Sequence, residues 1–310
     1  MIKYLPYRDI KKNKWDACIE NSINGNVFAF SWYLDKACEQ WDALVEDDYC
    51  FVMPLPYRKK LGFSYIFPPS LIQQLGIFSA CKITPSKVEE FVKAIPPKFK
   101  YAEILLNHYN PVETLNIIRQ QHTNLELNLN RPYYELQRAY SENLRRNLKK
   151  IPENFFSIRK SENMDGLIGL FRSTREKKIS LLPKDFYQVL QKIFAAATDN
   201  ACRELWQVYS GDELYAGVLF VIGCNKAVFL FSASSDKAKK HHAMHYLVDR
   251  FIEAHAGNHL ILDFEGSDNE TLARFYRNFG ATEKNYTKIE FSKLPGFIIK
   301  TLKLFFKIKK

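Results

Sequence analysis

Apolar residues recur with two different periods along the second half of the chain. Helical spacing, with apolar residues three and four apart, covers residues 164–178 and 183–200, the second opened by a proline. Runs rich in Val, Leu, Phe and Tyr then follow one another across short Gly-Asp and Cys-Asn-Lys turns. These strand-like runs lie at 204–211, 213–224 and 226–235, after an alternating segment at 155–161. The pattern predicts two helices and an antiparallel meander.

The remainder of this half alternates between helix and strand. Residues 239–257 have helical spacing and end at a glycine, and HLILDFEGS (259–267) is typical of a strand. Ser267 and Glu270 form a capping box for the next helix, and a last strand is predicted at 287–291. The predicted order is therefore β-α-α-β-β-β-α-β-α-β.

The first half contains a fainter version of the same succession. Helices are predicted at about 11–22, 87–95 (capped by Ser86 and Glu89) and 111–121, and strands at 41–48, 49–60, 101–107 and 124–129. The order of elements, rather than residue-level similarity, indicates two copies of one α/β layout. We therefore predict domains at 1–137 and 151–292, a joining helix at 138–150 and a terminal helix at 293–310.

Composition agrees with a folded two-domain protein. The chain has 310 residues, of which 46% are hydrophobic and 15% aromatic, enough for two packed cores. Its six cysteines form no Cys-x-x-Cys pair and no zinc or disulfide framework. No secretory signal and no apolar run of about 18 residues is present. These features predict a cytoplasmic location without a membrane span.

The net charge of +11 is concentrated in two segments. Residues 138–150 carry a net charge of +4 and residues 293–310 a net charge of +6. Two basic patches argue against a uniformly basic nucleic-acid-binding surface. Residues 297–310 would form a basic amphipathic helix, which either packs on the first domain or makes peripheral contact with the inner face of a membrane.

Three stretches together resemble one family. LDFEGSDNETLARFYRNFGA (262–281), YSENLRRNLKK (140–150) and the Pro-rich region from DYCFVMPLPYRKK to GIFS (48–79) are similar to motifs of the FemAB-like acyltransferases, in the same order. The resemblance implies an α+β fold of two tandem GNAT-like (N-acetyltransferase) domains, each a mixed, mostly antiparallel sheet flanked by helices. It also implies acyl transfer from a thioester or ester to an amine or hydroxyl, in a gap between the strands at 226–235 and 259–267.

In GNAT folds the start of the following helix holds the CoA pyrophosphate, which here implicates Lys239, Lys240, His241 and His242. A helix N-terminus suits an anion because its first N–H groups are free. However, the glycine-rich loop of CoA-binding relatives is absent, and Asp236 can cap the helix instead. A solvated basic helix start is therefore an equal alternative. A metal held by His245 with either His241 or His242 lacks any acidic or cysteine partner at a supporting spacing, and we predict none.

Five further residues are candidates for the acyl-transfer chemistry. Asp263 and Glu265 lie two apart on a predicted strand, so that one or both can act as general base or, alternatively, cap the next helix or pair with an arginine. Tyr276 lies where GNAT enzymes often have a tyrosine general acid, although it is equally an ordinary packed aromatic. Ser232 and Ser234 share one strand face and can orient the donor, but no catalytic elbow surrounds them.

Substrate contacts are predicted at Arg145, Arg146 and Trp206. The two arginines, with Lys149 and Lys150, form one basic helical face that suits phosphates or is simply solvated. Three functions stay open: an acyl-CoA-dependent acyltransferase acting on a small-molecule, sugar or cell-envelope acceptor; an aminoacyl-tRNA-dependent enzyme; and a non-catalytic binding protein. Dinucleotide and P-loop enzymes are excluded, since neither glycine fingerprint occurs.

Overall fold

The chain forms two compact units in a computed structural model. The structure describes residues 1–60 (Lys60 by its backbone alone), 62–113, 117–174, 176, 182–266 and 268–292. The first unit comprises Met1–His122, Pro183–Ala196 and the chain from Asn285, and the second comprises Thr123–Leu182 and Ala197–Lys284. None of the helices in the described part of the chain is long and apolar enough to cross a membrane.

The first unit is built on a mixed sheet. Its strands are β1 (Ile2–Leu5), β2 (Gln40–Glu46), β3 (Phe51–Lys60), β4 (Phe63–Ile66), β5 (Phe78–Ser79), β6 (Phe99–Leu106), β7 (Ile118–His122) and, much later in the chain, β15 (Tyr286–Ser292). Their order is β1-β2-β3-β4-β6-β15-β7, with β5 beside β3. All pairs are antiparallel except β4 with β6.

Three helices cover this sheet: α1 (Lys12–Asn21), α2 (Ser31–Ala37) and α3 (Pro85–Lys93). Val88 and Phe91 of α3 pack in one hydrophobic core with inward-facing strand residues such as Ile104 and Ile289. α7 (Phe186–Asp199) begins within the chain segment assigned to this unit. Because successive residues of a strand point to opposite faces of a sheet, every second residue of β6 and β15 points away from the α3 core.

The second unit contains the predicted meander. Its strands are β8 (Leu125–Asn128), β9 (Ser157–Lys160), β10 (Arg203–Ser210), β11 (Glu213–Gly223), β12 (Lys226–Ser234), β13 (Ile261–Asp263) and β14 (Thr282–Glu283), in the order β14-β8-β13-β12-β11-β10-β9. The single parallel pair is β12 with β13, and the other pairs are antiparallel.

Helices lie on both faces of this second sheet. They are α4 (Tyr133–Arg138), α5 (Glu142–Lys149), α6 (Asp165–Thr174), α8 (Asp236–Lys240), α9 (Ala243–His255) and α10 (Glu270–Arg277). On one face the apolar stripe of α9 packs against β10 and β11, with Phe251 and Phe220 stacked at 3.8 Å. On the other face α6 packs against β11 and β12 through Phe171 and Phe231.

Several predicted elements differ from the structure. Residues 118–122, assigned to a helix, form strand β7 beside β15, because pairing with a distant strand overrides weak local helix propensity. The joining helix predicted at 138–150 is shorter in the structure, where α5 spans Glu142–Lys149 and α4 ends at Arg138. The compact units also differ from the predicted continuous domains, since β8 pairs with β13 and β15 pairs with β6.

Two predicted caps are replaced by a neighbouring residue. Thr84, not Ser86, accepts the capping hydrogen bond of α3, since Pro85 already occupies the first helical turn. Asn269 caps α10 by accepting from Thr271 and Leu272. Ser267, the residue predicted for that role, lies outside the described residues, as do residues 177–178 at the end of one predicted helix and the terminal helix at 293–310.

Candidate active site

The two strands predicted to splay do part in the second unit. β12 pairs with β13 only from Lys226 to Val228, which lies opposite Asp263. Leu230 is an extra residue in the register with β11, a bulge that bends and twists β12 just after this pairing ends. Among the described residues, no strand pairs with this edge of β12 from Phe229 to Ser234. The gap that the family resemblance implied between these two strands is therefore present.

The open edge of β12 presents backbone hydrogen-bonding groups. The N–H of Ser235 donates to the carbonyl of Tyr215 at 2.9 Å, which fixes the alternation of hydrogen bonds along this antiparallel pair. Alternation directs the N–H of Ala233 toward β11, and the N–H groups of Ser232 and Ser234 toward the open edge. Two amide donors therefore face the gap.

A cavity of about 270 Å³ lies beside this edge, between β12, α8, α9 and α10. Its apolar wall consists of Phe229, Met244, Leu272, Phe275 and Tyr276. Its polar side chains are those of Ser232, Ser234, Lys239, His242, His245 and Thr271. The mixture suits a ligand with an apolar arm and a polar or charged head.

The predicted helix at 239–257 is broken at His242. This residue adopts a left-handed backbone with φ of +60°, so that α8 ends and α9 begins at Ala243. Left-handed backbone favours glycine and costs other residues about 1–2 kcal/mol. His242 thus supplies the turn that glycine supplies in glycine-rich loops, which the sequence pattern did not reveal.

The N-terminus of α9, rather than that of α8, borders the cavity with free amide groups. α9 has 13 residues, and among the described side chains none caps it. α8 is capped by the hydroxyl of Ser235, which accepts from Ala238, and not by Asp236 as predicted. Free N–H groups at a helix start attract anions, and the head of the cavity lies there.

The basic residues of this region separate into two groups. Lys239 and His242 line the cavity, whereas Lys240 and His241 do not. Lys239 also pairs with Asp236 at 2.8 Å, while the ring of His241 packs against Phe155 at 5.1 Å. The four predicted cofactor contacts are therefore not equivalent.

His245 is a cavity residue that sequence reasoning considered only as a metal ligand. Burial, followed by the charge of nearby His242, lowers its pKa from 6.5 to about 4, so the imidazole is neutral near pH 7. The signal in the sequence was its i,i+3 spacing from His242, and the two rings lie with their centroids 5.6 Å apart although His242 precedes α9. In the described part of the chain, no group of three acidic, histidine or cysteine residues has the geometry of a metal site.

Tyr276 lies on the cavity wall. It is 9% exposed, and its ring stacks on Phe264 with centroids 4.7 Å apart. α10 carries it, and the same helix brings Thr271 and Leu272 to the cavity. Tyr276 therefore fits both interpretations made from the sequence, a packed aromatic and a candidate general acid, because its ring is packed and it also borders the cavity.

Asp263 and Glu265 do not share a strand face, because β13 ends at Asp263 and Glu265 has a left-handed backbone with φ of +55°. A carboxylate oxygen of Asp263 accepts from the N–H of Glu265 at 2.9 Å. Burial raises the pKa of Asp263 to about 6, against the opposing effect of Lys226, whose ammonium lies 4.0 Å away and pairs with Glu126 at 2.5 Å. Burial, then the charge of Asp263, raises the pKa of Glu265.

The predicted substrate contacts have different environments. Arg145 and Arg146 are exposed on α5, whose buried side contains Leu144 and Asn147. Trp206 differs from its predicted role, because it is 4% exposed in the core and its indole N–H donates to Glu204 at 2.6 Å.

Comparison with known proteins agrees with this architecture. Residues 137–279 match the family described as acetyltransferase (GNAT) domain. No curated protein matches the chain.

Solved structures share the fold at low sequence identity. FemX aligns with a TM-score of 0.66 at 12% identity, over 97% of this chain and 99% of that chain. The C-terminal domain of a putative lysylphosphatidylglycerol synthetase from Agrobacterium fabrum aligns with a TM-score of 0.57 at 11% identity, over 94% of both chains. A tandem GNAT protein from the clavulanic acid biosynthesis pathway aligns with a TM-score of 0.55 at 8% identity, over 96% of this chain and 100% of that chain.

Proposed function

We propose that the second unit of this chain transfers an acyl group from acyl-CoA to an amine or hydroxyl. Its residues 137–279 match the acetyltransferase (GNAT) domain, and the chain has the fold of FemX and of a tandem GNAT protein. The observation that carries the proposal is the cavity at the open edge of β12, with the uncapped start of α9 at its head. A cytoplasmic location suits this donor.

The phosphates of the donor are the ligand that fits the head of the cavity. The first N–H groups of α9 and the partial positive charge of the helix end favour an anion. Lys239 and His242 add side-chain donors on the same side. The pantetheine arm then extends along Phe229 and Tyr276 toward the open edge of β12.

Backbone N–H groups at the open edge of β12 stabilise the transition state of the proposed reaction. When the acceptor attacks the thioester carbon, negative charge develops on the carbonyl oxygen, and the N–H groups of Ser232 and Ser234 are the donors that can hold it. Fixed amide donors act without reorganisation, which is why such groups contribute strongly to acyl transfer.

Two proton transfers complete the proposed reaction. Asp263 or Glu265 is the proposed acceptor of the proton from the attacking nitrogen or oxygen. Neither carboxyl lines the cavity, but Asp263 lies opposite Val228, where the pairing of β12 with β13 ends, and burial raises the pKa of both groups. Collapse of the intermediate breaks the carbon–sulfur bond, and the hydroxyl of Tyr276 donates a proton to the leaving thiolate.

Calorimetric titration with CoA and acetyl-CoA tests the proposal. We expect micromolar binding, weakened about fivefold or more by Lys239→Ala, since a charge-assisted contact contributes about 1 kcal/mol or more. Lys240→Ala is the matched control, because it removes the same charge from the neighbouring position outside the cavity. No binding at millimolar CoA, or equal losses in both variants, would contradict a phosphate site at this helix start.

A second candidate donor is aminoacyl-tRNA. Lys150, which follows α5, is close enough to His242 for its charge, after burial, to help lower the pKa of that imidazole. Arg145 and Arg146 are exposed on α5, the helix that Lys150 follows, and this basic surface suits a polyanion. An acceptor among membrane lipids is consistent with the name of the putative lysylphosphatidylglycerol synthetase, and a cell-envelope precursor is the acceptor that the FemAB-like resemblance implies.

RNA binding measured against salt concentration separates the two donors. For a tRNA donor we expect steep salt dependence, and a slope shallower by about 1.5–2 units in the Arg145→Ala, Arg146→Ala double variant, which removes two positive charges. RNA binding that is absent or unchanged in this variant would leave CoA as the donor. Absence of both ligands would favour the non-catalytic alternative.

A further inference from the structure

A second cavity, of about 340 Å³, lies within the first unit. It borders the face of β6 and β15 that points away from the α3 core, because Glu103 and Leu105 line it while their neighbour Ile104 belongs to that core. Its walls are formed by Phe67, Pro68, Pro69 and Tyr286. None of its residues belongs to the second unit, so the inference below stands apart from the proposed acyl transfer.

A buried pair of carboxylates adjoins this cavity. Glu103 and Glu290 are directly opposite on β6 and β15, so their side chains share one sheet face. They are only 9% and 8% exposed, and Glu103 accepts a hydrogen bond from the hydroxyl of Tyr101 at 3.2 Å. Burial and the charges of both carboxylates raise the pKa of Tyr101. Like charges directly opposite on a sheet are unfavourable, and a cation beside them would offset the repulsion.

A positive side chain, that of Lys288, borders the same cavity. Lys288 is two residues before Glu290 on β15, so it lies on the same face, and it lines the cavity. Among the described residues it makes no ion pair, and its burial is intermediate. Its Cα is paired with that of Leu105, which places Lys288 diagonally from Glu103. The cavity therefore offers a negative and a positive group to one ligand.

We propose that this cavity binds a small zwitterion of the α-amino acid class. Glu103, with Glu290 beside it, receives the ammonium group, and Lys288 receives the carboxylate. The proline and aromatic walls contact the side chain of the ligand. The bound ammonium places a positive charge beside two carboxyl groups that lie directly opposite each other on the sheet.

A ligand panel measured by calorimetry tests the charge assignment. The panel contains L-alanine, L-leucine and L-lysine, their N-acetyl derivatives, which lack the ammonium, and their amides, which lack the carboxylate. We expect the free amino acids to bind, and both derivatives to bind at least about tenfold more weakly, because each leaves a buried charge unpaired. Binding of Mg²⁺ or Ca²⁺ without amino acids would replace the proposal by a cation site. No binding of any free amino acid at ten millimolar, or equal binding of all derivatives, would overturn it.

Matched variants give a readout that does not depend on catalysis. Glu103→Gln is expected to abolish amino-acid binding and to leave the melting temperature unchanged or raised, since it removes the buried repulsion. Glu20→Gln, at an exposed position of α1, is the control. Lys288→Met should weaken the free amino acids but not the amides, with the exposed Lys284→Met as its control. Unchanged binding in both Glu103→Gln and Lys288→Met would refute the site. Titration of the same variants with CoA tests the proposed donor site of the second unit separately.

Discussion

The imidazole of His245 packs against the ring of Phe275 with centroids 4.9 Å apart, and against Phe279 at 6.2 Å. An aromatic surround favours the neutral form, which is why the pKa of His245 falls from 6.5 to about 4. Between those pH values the unfolded chain binds a proton at this residue and the folded chain does not. The stability contributed by the neutral imidazole is therefore fully present above about pH 6.5 and is lost as the pH falls toward 4.

Replacing His245 should remove part of this acid sensitivity. Between pH 6.5 and pH 4, the unfolding free energy of the His245→Phe variant should fall by less than that of the wild type. We expect the difference to be on the order of 2 kcal/mol, which allows for the partial exposure of the side chain. Urea denaturation at several pH values measures the difference. His259→Asn, at an exposed histidine, should follow the wild type. A variant with the same pH dependence as the wild type would mean that His245 is not held neutral.

The left-handed backbone at His242 predicts an unusual order of stability between two substitutions. His242→Gly and His242→Ala both remove the imidazole, but only glycine adopts φ of +60° without strain. We expect the glycine variant to be more stable than the alanine variant by about 1 kcal/mol, the reverse of the order inside a helix. Chemical denaturation of the two variants checks this, and an alanine variant of equal or higher stability would argue for a continuous helix at this point.

The hydroxyl of Tyr276 should matter for turnover and not for folding. Tyr276→Phe keeps the ring stacked on Phe264, so we expect little change in stability. If the hydroxyl protonates the leaving thiolate, kcat should fall about 10²-fold or more, while the KM for the acyl-CoA donor stays within a few-fold. Release of free thiol from the donor in the presence of an acceptor provides the assay. Tyr134→Phe, which alters an exposed tyrosine, is the control, and equal rates in both variants would exclude the proton-donor role.

We expect Trp206 to contribute to the stability of the fold and not to ligand binding. Burial raises the pKa of Glu204, but hydrogen bonds from His255, Trp206 and Lys160 outweigh it and lower that pKa to about 2. The stabilisation by the ionised carboxylate is thus present above about pH 4.5 and lost as the pH falls toward 2. We expect Trp206→Phe to reduce the unfolding free energy by about 1–2 kcal/mol at pH 7, through loss of the N–H donor, with unchanged CoA affinity. Weaker CoA binding without destabilisation would restore the predicted substrate contact.

Local patterns were enough to predict the meander of the second unit. Strong apolar runs separated by turn residues predicted strands at 213–224 and 226–235, and the structure has Glu213–Gly223 and Lys226–Ser234. The gap beside β12 was also predicted, but only through the family resemblance. The helix predicted at 111–121 was wrong over β7, because its pairing partner β15 is more than 160 residues away in sequence. Propensity within a short window contains no information on such a partner.

The candidate site was predictable in its location and not in its details. Ser232, Ser234, Lys239, His242 and Tyr276 all border one cavity. The break at His242 was not predicted, since no glycine or proline marks it, and the left-handed backbone depends on how α8 and α9 pack. The same limit applies to Glu265, whose left-handed backbone moves it off the predicted strand face.

The position of β15 between β6 and β7 has a consequence for biosynthesis. β15 begins at Tyr286, so every residue of the second unit leaves the ribosome before the first sheet receives this strand. Until then, β6 and β7 have unpaired backbone edges, which are prone to associate with other chains. The first unit is thus the earlier to be synthesised and the later to be completed. Shortened chains that stop before Asn285 should aggregate through these edges even though their second unit is whole.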